Sequence, residues 1–408
     1  MDPGSAGLRP ASAGMTIEKM PIHPAYAQVS ALLAAVFILI AGNGLSNTLI
    51  PLSATAANFP ELSIGLIGSA YFGGMLIGCL AAPRIIARAG HIRAFAAFVA
   101  VATVATITHP IFVEPVAWAA IRAVTGFCFA GLYATIESWM HDKADNVVRG
   151  RLLAVYQMMN YAGSAVGQQA IRFVSPASFV SFSIVAAALS LSVLPLTYTR
   201  SDPPEPPPVP RLRLGWLFRI SPVGVAGALV SGSANGTFWS LAPVFADRSG
   251  LSAGGVASFM TAAVVAAGLA QWPVGRLADR RDRRHIMLVA VAIAVAAQLA
   301  LVWFARSDAT VLIALAAAVG ASALVLYPLS SSHAQDLAGR ENAVEVSSGL
   351  LLAYTIGAII GPTTAAWLMG LIGPQALFIH NAAIHIAFIV FVIWRLWQRP
   401  PGGEKAQA

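Results

Sequence analysis

Charged side chains are scarce in this chain. Asp, Glu, Lys and Arg make up only 10% of its 408 residues, whereas 57% of the residues are apolar. A typical water-soluble domain carries about 25% charged residues, so the sequence lies far outside that class. The mean hydropathy of +0.73 points the same way. The composition therefore indicates an integral membrane protein.

Cysteine and the common catalytic motifs are also nearly absent. The two cysteines, Cys79 and Cys128, both lie in apolar stretches, where a small buried side chain is the expected role rather than a disulfide or a metal pair. The sequence contains no Gly-rich phosphate loop, no Cys/His metal spacing and no nucleophile elbow. We therefore expect no cofactor and no bound metal, and we do not expect an enzyme.

Long apolar runs dominate the chain. Twelve of them are long enough to cross about 30 Å of hydrocarbon as helices. They lie near residues 27–52, 62–83, 93–113, 115–140, 150–172, 177–199, 217–246, 251–275, 285–305, 309–331, 343–370 and 375–397. The sequence therefore predicts an all-α protein with twelve transmembrane helices in a lipid bilayer.

An internal repeat divides these helices into two sets. Residues of the first half recur 192 to 194 positions later in the second half, and the matches are Asn43 with Asn235, Pro51 with Pro243, Arg88 with Arg280, Gly126 with Gly320, Tyr133 with Tyr327, Gly163 with Gly357 and Gly167 with Gly361. Two similar halves in the same order are typical of transporters whose site lies at the repeat interface. We therefore predict two pseudo-symmetric six-helix halves.

A Pro-rich segment lies at the midpoint of the repeat and favours an extended linker. The predicted domains are an N-terminal cytoplasmic segment (1–26), a first half (27–199), the linker (200–216), a second half (217–397) and a cytoplasmic tail (398–408).

The distribution of basic residues predicts the orientation. If both termini are cytoplasmic, only Arg122 lies inside a span and only Arg172, Arg248 and Arg306 lie on outer loops, out of 25 Lys and Arg. Cytoplasmic loops retain basic residues, so we predict a multi-pass protein of the bacterial inner membrane with both termini inside. The formal net charge of +8 follows from this topology, and the basic loops are too short and dispersed to predict a nucleic-acid partner. We expect a monomer.

The loop GRLADRRDRR (275–284) is the sharpest local motif. It resembles the signature that follows the second and eighth helices in the major facilitator superfamily, with Asp282 in place of the second Gly. The first copy, residues 83–93, is degenerate and has Ala87 in place of the Asp. The resemblance implies that Asp279 helps to lock the cytoplasmic face by pairing with charges at helix ends. The residues that we assign to this gate are Arg88, Glu137, Arg149, Arg151, Asp279 and Arg280.

Other motifs extend the resemblance over residues 27–397. Arg122 to Gly126 resembles the family's Arg-x-x-x-Gly motif, whose arginine is implicated in proton coupling, and residues 137–151 resemble its Glu…Arg-Gly-Arg junction. Two Gly-x-x-x-Gly motifs resemble the antiporter motif of the family, and their packing residues are Gly163, Gly167, Gly357, Gly361 and Pro362. The amino-acid sequence of the first loop is similar to that of the YcaD-like branch of the superfamily.

Arg122 and Glu137 are the two ionisable side chains within the spans to which we assign chemistry. Arg122 is costly at mid-helix, and it is expected to anchor an anion, to switch a proton-linked carboxylate or to pair with helix-end carbonyls. Glu137 follows 15 residues later, about 22 Å along the helix axis, so the two side chains cannot touch. A gate salt bridge between Glu137 and Arg149 or Arg151 is favoured over a proton-carrying role, which stays open.

The remaining candidates are polar side chains expected to line a central cavity. The predicted substrate-binding set is Asn43, Asn47, Arg122, Tyr133, Gln157, Asn160, Asn235, Trp239, Tyr327 and Tyr354. The leading hypothesis is alternating-access efflux of a small organic solute in exchange for protons. Uptake of a small organic anion by a symporter or facilitator, and a receptor or enzyme on the same scaffold, are the alternatives.

Overall fold

A computed structural model describes residues 24–143, 149–197 and 213–398, and these contain helices and no strands. The α-helices are α1 (Pro24–Ala56), α2 (Glu61–Ala89), α3 (His91–Thr108), α4 (Pro115–Lys143), α5 (Arg149–Gln169), α6 (Phe179–Leu191), α7 (Leu194–Thr197), α8 (Leu214–Ile220), α9 (Pro222–Arg248), α10 (Ala253–Ala278), α11 (Arg283–Trp303), α12 (Ala309–Ala323), α13 (Leu326–Ala338), α14 (Ala343–Ile372) and α15 (Ala376–Gln398). Short 3₁₀ turns follow α5 and α13. The all-α prediction is confirmed.

Ten helical segments of this described part are long and apolar enough to cross a membrane, with α6 and α7 counted as one segment and α12 and α13 as another, or eleven if the bent pair of α8 and α9 is also counted as one span. Helix α5 does not reach that hydropathy, because Gln157, Asn160, Ser164 and Gln168 interrupt its apolar residues. It packs between α1 and α10, and Gln168 is fully buried there. The count of twelve spans stays a prediction.

The predicted helix 217–246 is wrong at its start. The chain bends by 118° between α8 and α9. Ser221 forms the break, because its Oγ accepts a hydrogen bond from the Gly224 N–H at 3.3 Å, and Pro222 then occupies the first position of α9, where its missing N–H costs nothing. The predicted terminal segments and the linker lie mostly in residues 1–23, 198–212 and 399–408, outside the described residues, so the domain boundaries stay predictions.

The helices form two bundles. In the first bundle α1 packs on α5 and α6, α2 on α4, and α3 on α4 and α6; in the second bundle α9 packs on α14, α10 on α12, and α11 on α15. The bundles meet where α2 crosses α14, where α5 crosses α10 and where α9 touches α1 and α2. The space between the bundles is therefore enclosed by helices of both.

The two ends of the bundles are distinguished by their turns. We call the end that carries residues 57–60 and 249–252 face A, and the end that carries residues 90 and 279–282 face B. An ion pair of 2.5 Å between Glu61 and Arg248 puts the two turns of face A together. Face B carries the Arg-rich loops that the sequence predicts to be cytoplasmic.

The repeated glycines of α5 and α14 lie where helices touch backbone to backbone. A Cβ on Gly167 would lie 2.0 Å from the carbonyl oxygen of Ala41 in α1, and a Cβ on Gly361 would lie 2.4 Å from that of Ser233 in α9. One turn earlier, Gly163 and Gly357 approach Phe37 and Leu229 in the same way. Contacts this short exclude any side chain, so the glycines set the distance between the helices.

The same relation holds between α2 and α4 and between α10 and α12. A Cβ on Gly126 would lie 1.9 Å from the carbonyl oxygen of Tyr71, and a Cβ on Gly320 would lie 2.0 Å from that of Ala263. Tyr71 and Ala263 are themselves 192 positions apart. The repeat read from the sequence is thus a repeat of helix contacts.

Candidate functional site

Arg122 of α4 is buried inside the first bundle, with 7% of its surface exposed. One guanidinium nitrogen donates a long hydrogen bond of 3.5 Å to the Asn47 Oδ1 of α1. The guanidinium carbon lies 4.2 Å from the centre of the Tyr71 ring, at a cation–π distance. The other two nitrogens have no hydrogen-bond partner within the described residues. A buried polar group without a partner is costly, so this charge is only partly compensated.

A small cavity of about 20 Å³ adjoins Arg122, with room for about one water molecule. Its lining comes from both bundles and comprises Asn47, Ile50, Pro51, Ala54, Ile64, Ile67, Gly68, Arg122, Trp239 and Ser240. The structure therefore brings together three predicted lining residues: Asn47, Arg122 and Trp239.

Glu137 lies four turns further along α4 and has different surroundings. Its side chain is exposed, yet it is within electrostatic range of Tyr133, of Tyr156 on α5, of Cys79 on α2 and of Tyr327 on α13. These neighbours belong to both bundles. Glu137 therefore faces the solvent-accessible space between the bundles, and no cation among the described residues pairs with it.

Tyrosines form the walls of this space. The rings of Tyr327 and Tyr354 meet edge to face with centroids 5.0 Å apart, and Tyr71 and Tyr133 lie within electrostatic range of Tyr354. Tyr133, Tyr327 and Tyr354 are half-buried. Sequence analysis missed Tyr71, although a tyrosine in the middle of an apolar span is a polar group that needs a partner.

Asn43 and Asn235 are repeat-related and have the same surroundings. Each is 7% exposed, and each lies beside a tyrosine hydroxyl, Asn43 beside Tyr71 and Asn235 beside Tyr354. The side-chain carbonyl oxygen of each lacks a donor among the residues that the structure describes. Two unpaired acceptors therefore lie next to the tyrosine walls.

The two predicted lining residues of α5 have different surroundings. The Asn160 side chain donates to the backbone carbonyl of Tyr156 at 3.0 Å, so its amide N–H is engaged within its own helix. Gln157 is exposed and lies beside Tyr161, whose hydroxyl accepts a hydrogen bond from Gln271 of α10. Gln157 therefore lies at the contact between the two bundles.

The predicted gate residues at face B do not form a cross-bundle contact within the described residues. Asp279 pairs with Arg283 at 3.1 Å, and Arg283 also pairs with Asp336 at 2.6 Å, all within the second bundle. Arg88 and Arg280 are exposed. The side chains of Arg149 and Arg151 lie outside the described part of the chain, so the salt bridge proposed for Glu137 stays a prediction.

The cross-bundle polar contacts that the structure does describe were missed by sequence analysis. At face A, Glu61 pairs with Arg248, and the Ser69 and Thr363 hydroxyls lie 2.7 Å apart. Arg172 donates to Ser258 at 2.5 Å. Glu61, Arg172 and Arg248 occur in short connections between predicted spans, and their opposite charges are the only signal that sequence offers.

Relatives of this chain are transporters. The sequence matches the model of the Major Facilitator Superfamily over residues 32–348 and again over residues 224–408. An uncharacterized MFS-type transporter of Enterobacter sp. (strain 638) is 29% identical over 375 residues, covering 90% of this chain and 96% of that protein. The uncharacterized MFS-type transporter YcaD of Salmonella typhi is 28% identical over 374 residues, covering 91% and 97%.

Solved transporters share the fold. The nucleoside transporter NupG superposes with a TM-score of 0.75 at 13% identity, covering 91% of this chain and 99% of that one. A D-xylose-proton symporter superposes with a TM-score of 0.69 at 14% identity, covering 90% and 97%. The predicted major facilitator fold is therefore confirmed. The chain belongs to the Major Facilitator Superfamily and is a multi-pass membrane transporter similar to the YcaD-like proteins.

Proposed function

We propose that this protein is a secondary active transporter that moves a small organic solute by alternating access, in exchange for protons and in the direction of efflux. The observation that carries the proposal is a difference in access. Polar contacts join the two bundles on the side of face A. Glu137, in contrast, lies in the part of α4 that is nearer to face B, and its side chain is exposed. This arrangement suits a state that is closed at face A and open at face B.

Rocking of the two bundles about the central site would exchange this state for its opposite. The ion pair of Glu61 and Arg248 would then have to break, and face B would have to close. We propose that Asp279, Arg280 and Arg88 act there, together with Arg149 and Arg151. Face B is then cytoplasmic, as expected for an inner-membrane protein with both termini inside.

Arg122 and Glu137 are the proposed proton-coupling residues. Glu137 is accessible to solvent and forms no ion pair with a cation of the described residues, which supports a role for it in carrying a proton. Arg122 holds two unpaired nitrogens in a buried site, and a change in its partners would accompany the movement of α1 and α2. The protein is proposed to act as a monomer, because each chain holds both bundles.

Uptake of a small organic anion is the second candidate. The unpaired nitrogens of Arg122 and the adjoining cavity support it. Against it, the cavity holds about one water molecule, so an organic anion would reach Arg122 only after a rearrangement. Among the fold relatives, one is a nucleoside transporter and one is a proton symporter of D-xylose, so neutral solutes belong in the test.

Counterflow in proteoliposomes tests transport. Vesicles containing the purified protein are preloaded with unlabelled solute from a panel of organic cations, organic anions, nucleosides and sugars, and uptake of the labelled solute is followed. We expect at least one solute to exchange. If no solute exchanges through well-folded protein, a function as a receptor or an enzyme is favoured over transport.

An imposed pH gradient tests the coupling. A vesicle that is acid inside drives accumulation by proton exchange, whereas one that is acid outside drives accumulation by symport, so the sign identifies the mechanism. Arg122→Lys keeps the charge but not the planar fork that bonds Asn47 and stacks on Tyr71. We expect it to lower gradient-driven accumulation at least tenfold while counterflow persists. Normal gradient-driven transport by this variant would exclude Arg122 from coupling.

A further inference from the structure

We infer that the site between the bundles recognises organic cations, such as amines and quaternary ammonium or phosphonium compounds, through Glu137 and the surrounding tyrosines. This inference rests on the proposed transport function, because it names the class of solute for the same central site. Four observations carry it: the sign of the accessible charge, the absence of a competing cation among the described residues, the aromatic walls and the unpaired acceptors.

The charge that a solute meets between the bundles is negative. Glu137 is exposed there, whereas Arg122 is only 7% exposed, covered by the Tyr71 ring and bonded to Asn47. Fifteen residues of helix separate the two charges by about 22 Å, and opposite charges interact little over that distance in a hydrated cavity. Arg122 therefore does not neutralise Glu137.

No basic side chain of the described residues forms an ion pair with Glu137, so none of them occupies the position that a cationic ligand would take. The ion pairs of the described Asp and Glu residues are formed elsewhere, at face A by Glu61 and at face B by Asp279, Asp282 and Asp336. A carboxylate in the interior of a membrane protein is costly without a partner. An incoming cation would supply one.

Aromatic rings complete a site of this kind. Tyr133, Tyr156 and Tyr327 lie within electrostatic range of the Glu137 carboxylate, and the Tyr354 ring meets that of Tyr327 edge to face. The face of an aromatic ring attracts a cation, and aromatic cages bind quaternary ammonium groups in this way. The same rings would disfavour an anion.

Two buried acceptors lie beside these rings. The Oδ1 atoms of Asn43 and Asn235 lack donors within the described residues, and each side chain is 7% exposed. A protonated amine carries only donors, so it would satisfy acceptors that an anion would repel. Both asparagines adjoin tyrosines of the cluster, Tyr71 and Tyr354, which extends the cationic site from one bundle to the other.

A pair of probes with the same shape and opposite charge provides the test. Equilibrium dialysis of the purified full-length protein in detergent measures binding of labelled tetraphenylphosphonium and of labelled tetraphenylborate, with empty micelles subtracted. We expect the cation to bind at least tenfold more tightly than the anion. Glu137→Gln should lower the affinity for tetraphenylphosphonium at least tenfold, and Glu137→Asp, which retains the charge, should keep most of it.

Asp308→Asn is the matched control, because it removes an exposed carboxylate that makes no side-chain cap bond to α12. Its affinity for the cation should equal that of the parent. Equal or tighter binding of tetraphenylborate by the parent overturns the inference, as does unchanged cation affinity in folded Glu137→Gln. If Glu137→Gln does not fold, the preference of the parent protein between the two probes decides.

The outcome is separable from that of the transport proposal. Cation-selective binding without counterflow of any solute would leave the binding site standing and remove the transport function. Counterflow of anions or sugars together with anion-selective binding would leave transport standing and remove the cation site.

Discussion

The two bundles are alike where helices touch and unlike where polar groups meet the central space. Gly126 and Gly320 hold α4 on α2 and α12 on α10 at the same backbone distance within about 0.1 Å. Gly167 and Gly361 bring α5 onto α1 and α14 onto α9 at similar distances, with an added Cβ 2.0 Å and 2.4 Å from the facing carbonyl oxygen. The repeat has therefore kept the helix contacts that admit no side chain.

The ionisable groups of the site do not follow the repeat. At the corresponding positions of the second bundle, Arg122 is replaced by Ala316 and Glu137 by Ser331. Tyr71, which covers Arg122, is replaced by Ala263. The first bundle thus supplies the charges, and the second supplies Tyr327, Tyr354, Trp239 and Asn235 as neutral walls.

This difference distinguishes the residues that hold the helices together from the residues that give the candidate site its charge. A contact that fixes the crossing of two helices constrains both copies of a duplicated fold, because each bundle needs the same close packing of its helices. A charge for coupling or recognition is needed once, and a second copy would add the cost of burying it. The predictions below break first the shared contacts and then the features that distinguish the two bundles and faces.

The largest expected effect comes from the shared contacts. Gly126→Leu and Gly320→Leu should each abolish monodisperse protein in size-exclusion chromatography, because the added side chain meets backbone within about 2 Å and the helices must separate. Gly74→Ala should lower the melting temperature clearly, since its Cβ would lie 1.8 Å from the Ala123 carbonyl oxygen and overpacking costs about 1–3 kcal/mol.

The neighbouring Gly73 is the matched control for Gly74. Nothing lies within 4 Å of a Cβ at this position, so Gly73→Ala should retain or slightly raise the melting temperature through the higher helix propensity of alanine. If Gly320→Leu is tolerated while Gly126→Leu is not, the two bundles do not share this constraint.

The sequence predicted the shared features well. Apolar length predicted most of the helices that the structure describes, and the glycines that recur along the sequence lie at close helix contacts in the structure, because only glycine tolerates such an approach. It failed at the bend of 118° before α9, since the apolar pattern continues through Ser221 and only the three-dimensional path reveals the turn.

The site was predictable in part. Side chains whose polarity is unusual in a membrane, such as Arg122 and Asn235, could be identified from sequence alone. Their partners could not, because Tyr71 and Asn47 approach Arg122 from two other helices, and helix rotation is not encoded in a local motif. The exposure of Glu137 depends on the separation of the bundles, which is a property of the whole conformation.

The second prediction concerns the difference between the two faces. Glu61→Gln should break the cross-bundle ion pair with Arg248 at face A and favour opening there. The pair is partly exposed, so its contribution is about 1 kcal/mol at most, or about fivefold in the opening equilibrium. Labelling of a cysteine introduced at Ser240, which lines the small cavity, by an impermeant maleimide from face A should rise about threefold to fivefold.

Glu114→Gln is the control at the same face. The Glu114 carboxylate accepts hydrogen bonds from the backbone of Val116 and Ala117 in its own helix, so its loss should leave labelling of the cavity unchanged. The exchanged pair Glu61→Arg with Arg248→Glu should restore the parent rate. Faster labelling that persists in the exchanged pair would mean that the ion pair does not hold face A closed.

The smallest expected effect separates the loops that precede α3 and α11. Gly90 begins α3 with a positive φ of 80°, whereas the corresponding Asp282 begins α11 and accepts hydrogen bonds from the backbone and side chain of Arg284. Partial burial raises the pKa of Asp282, but the bonds and charge of Arg284, together with His285, lower it further, so that the net pKa is below its ordinary value. Because the folded-state pKa lies below the unfolded value of about 3.9, the stabilisation is fully present above that pH and is lost as the pH falls through the folded value.

Asp282→Asn keeps a capping side chain and removes the charge, so it should cost about 0.5 kcal/mol at pH 7, read as a lower melting temperature in detergent. The difference from the parent should stay constant from pH 8 to pH 5, begin to shrink below about pH 4 and vanish as the pH falls through the folded-state pKa. A difference that grows on acidification would show that Asp282 is not stabilised as an anion.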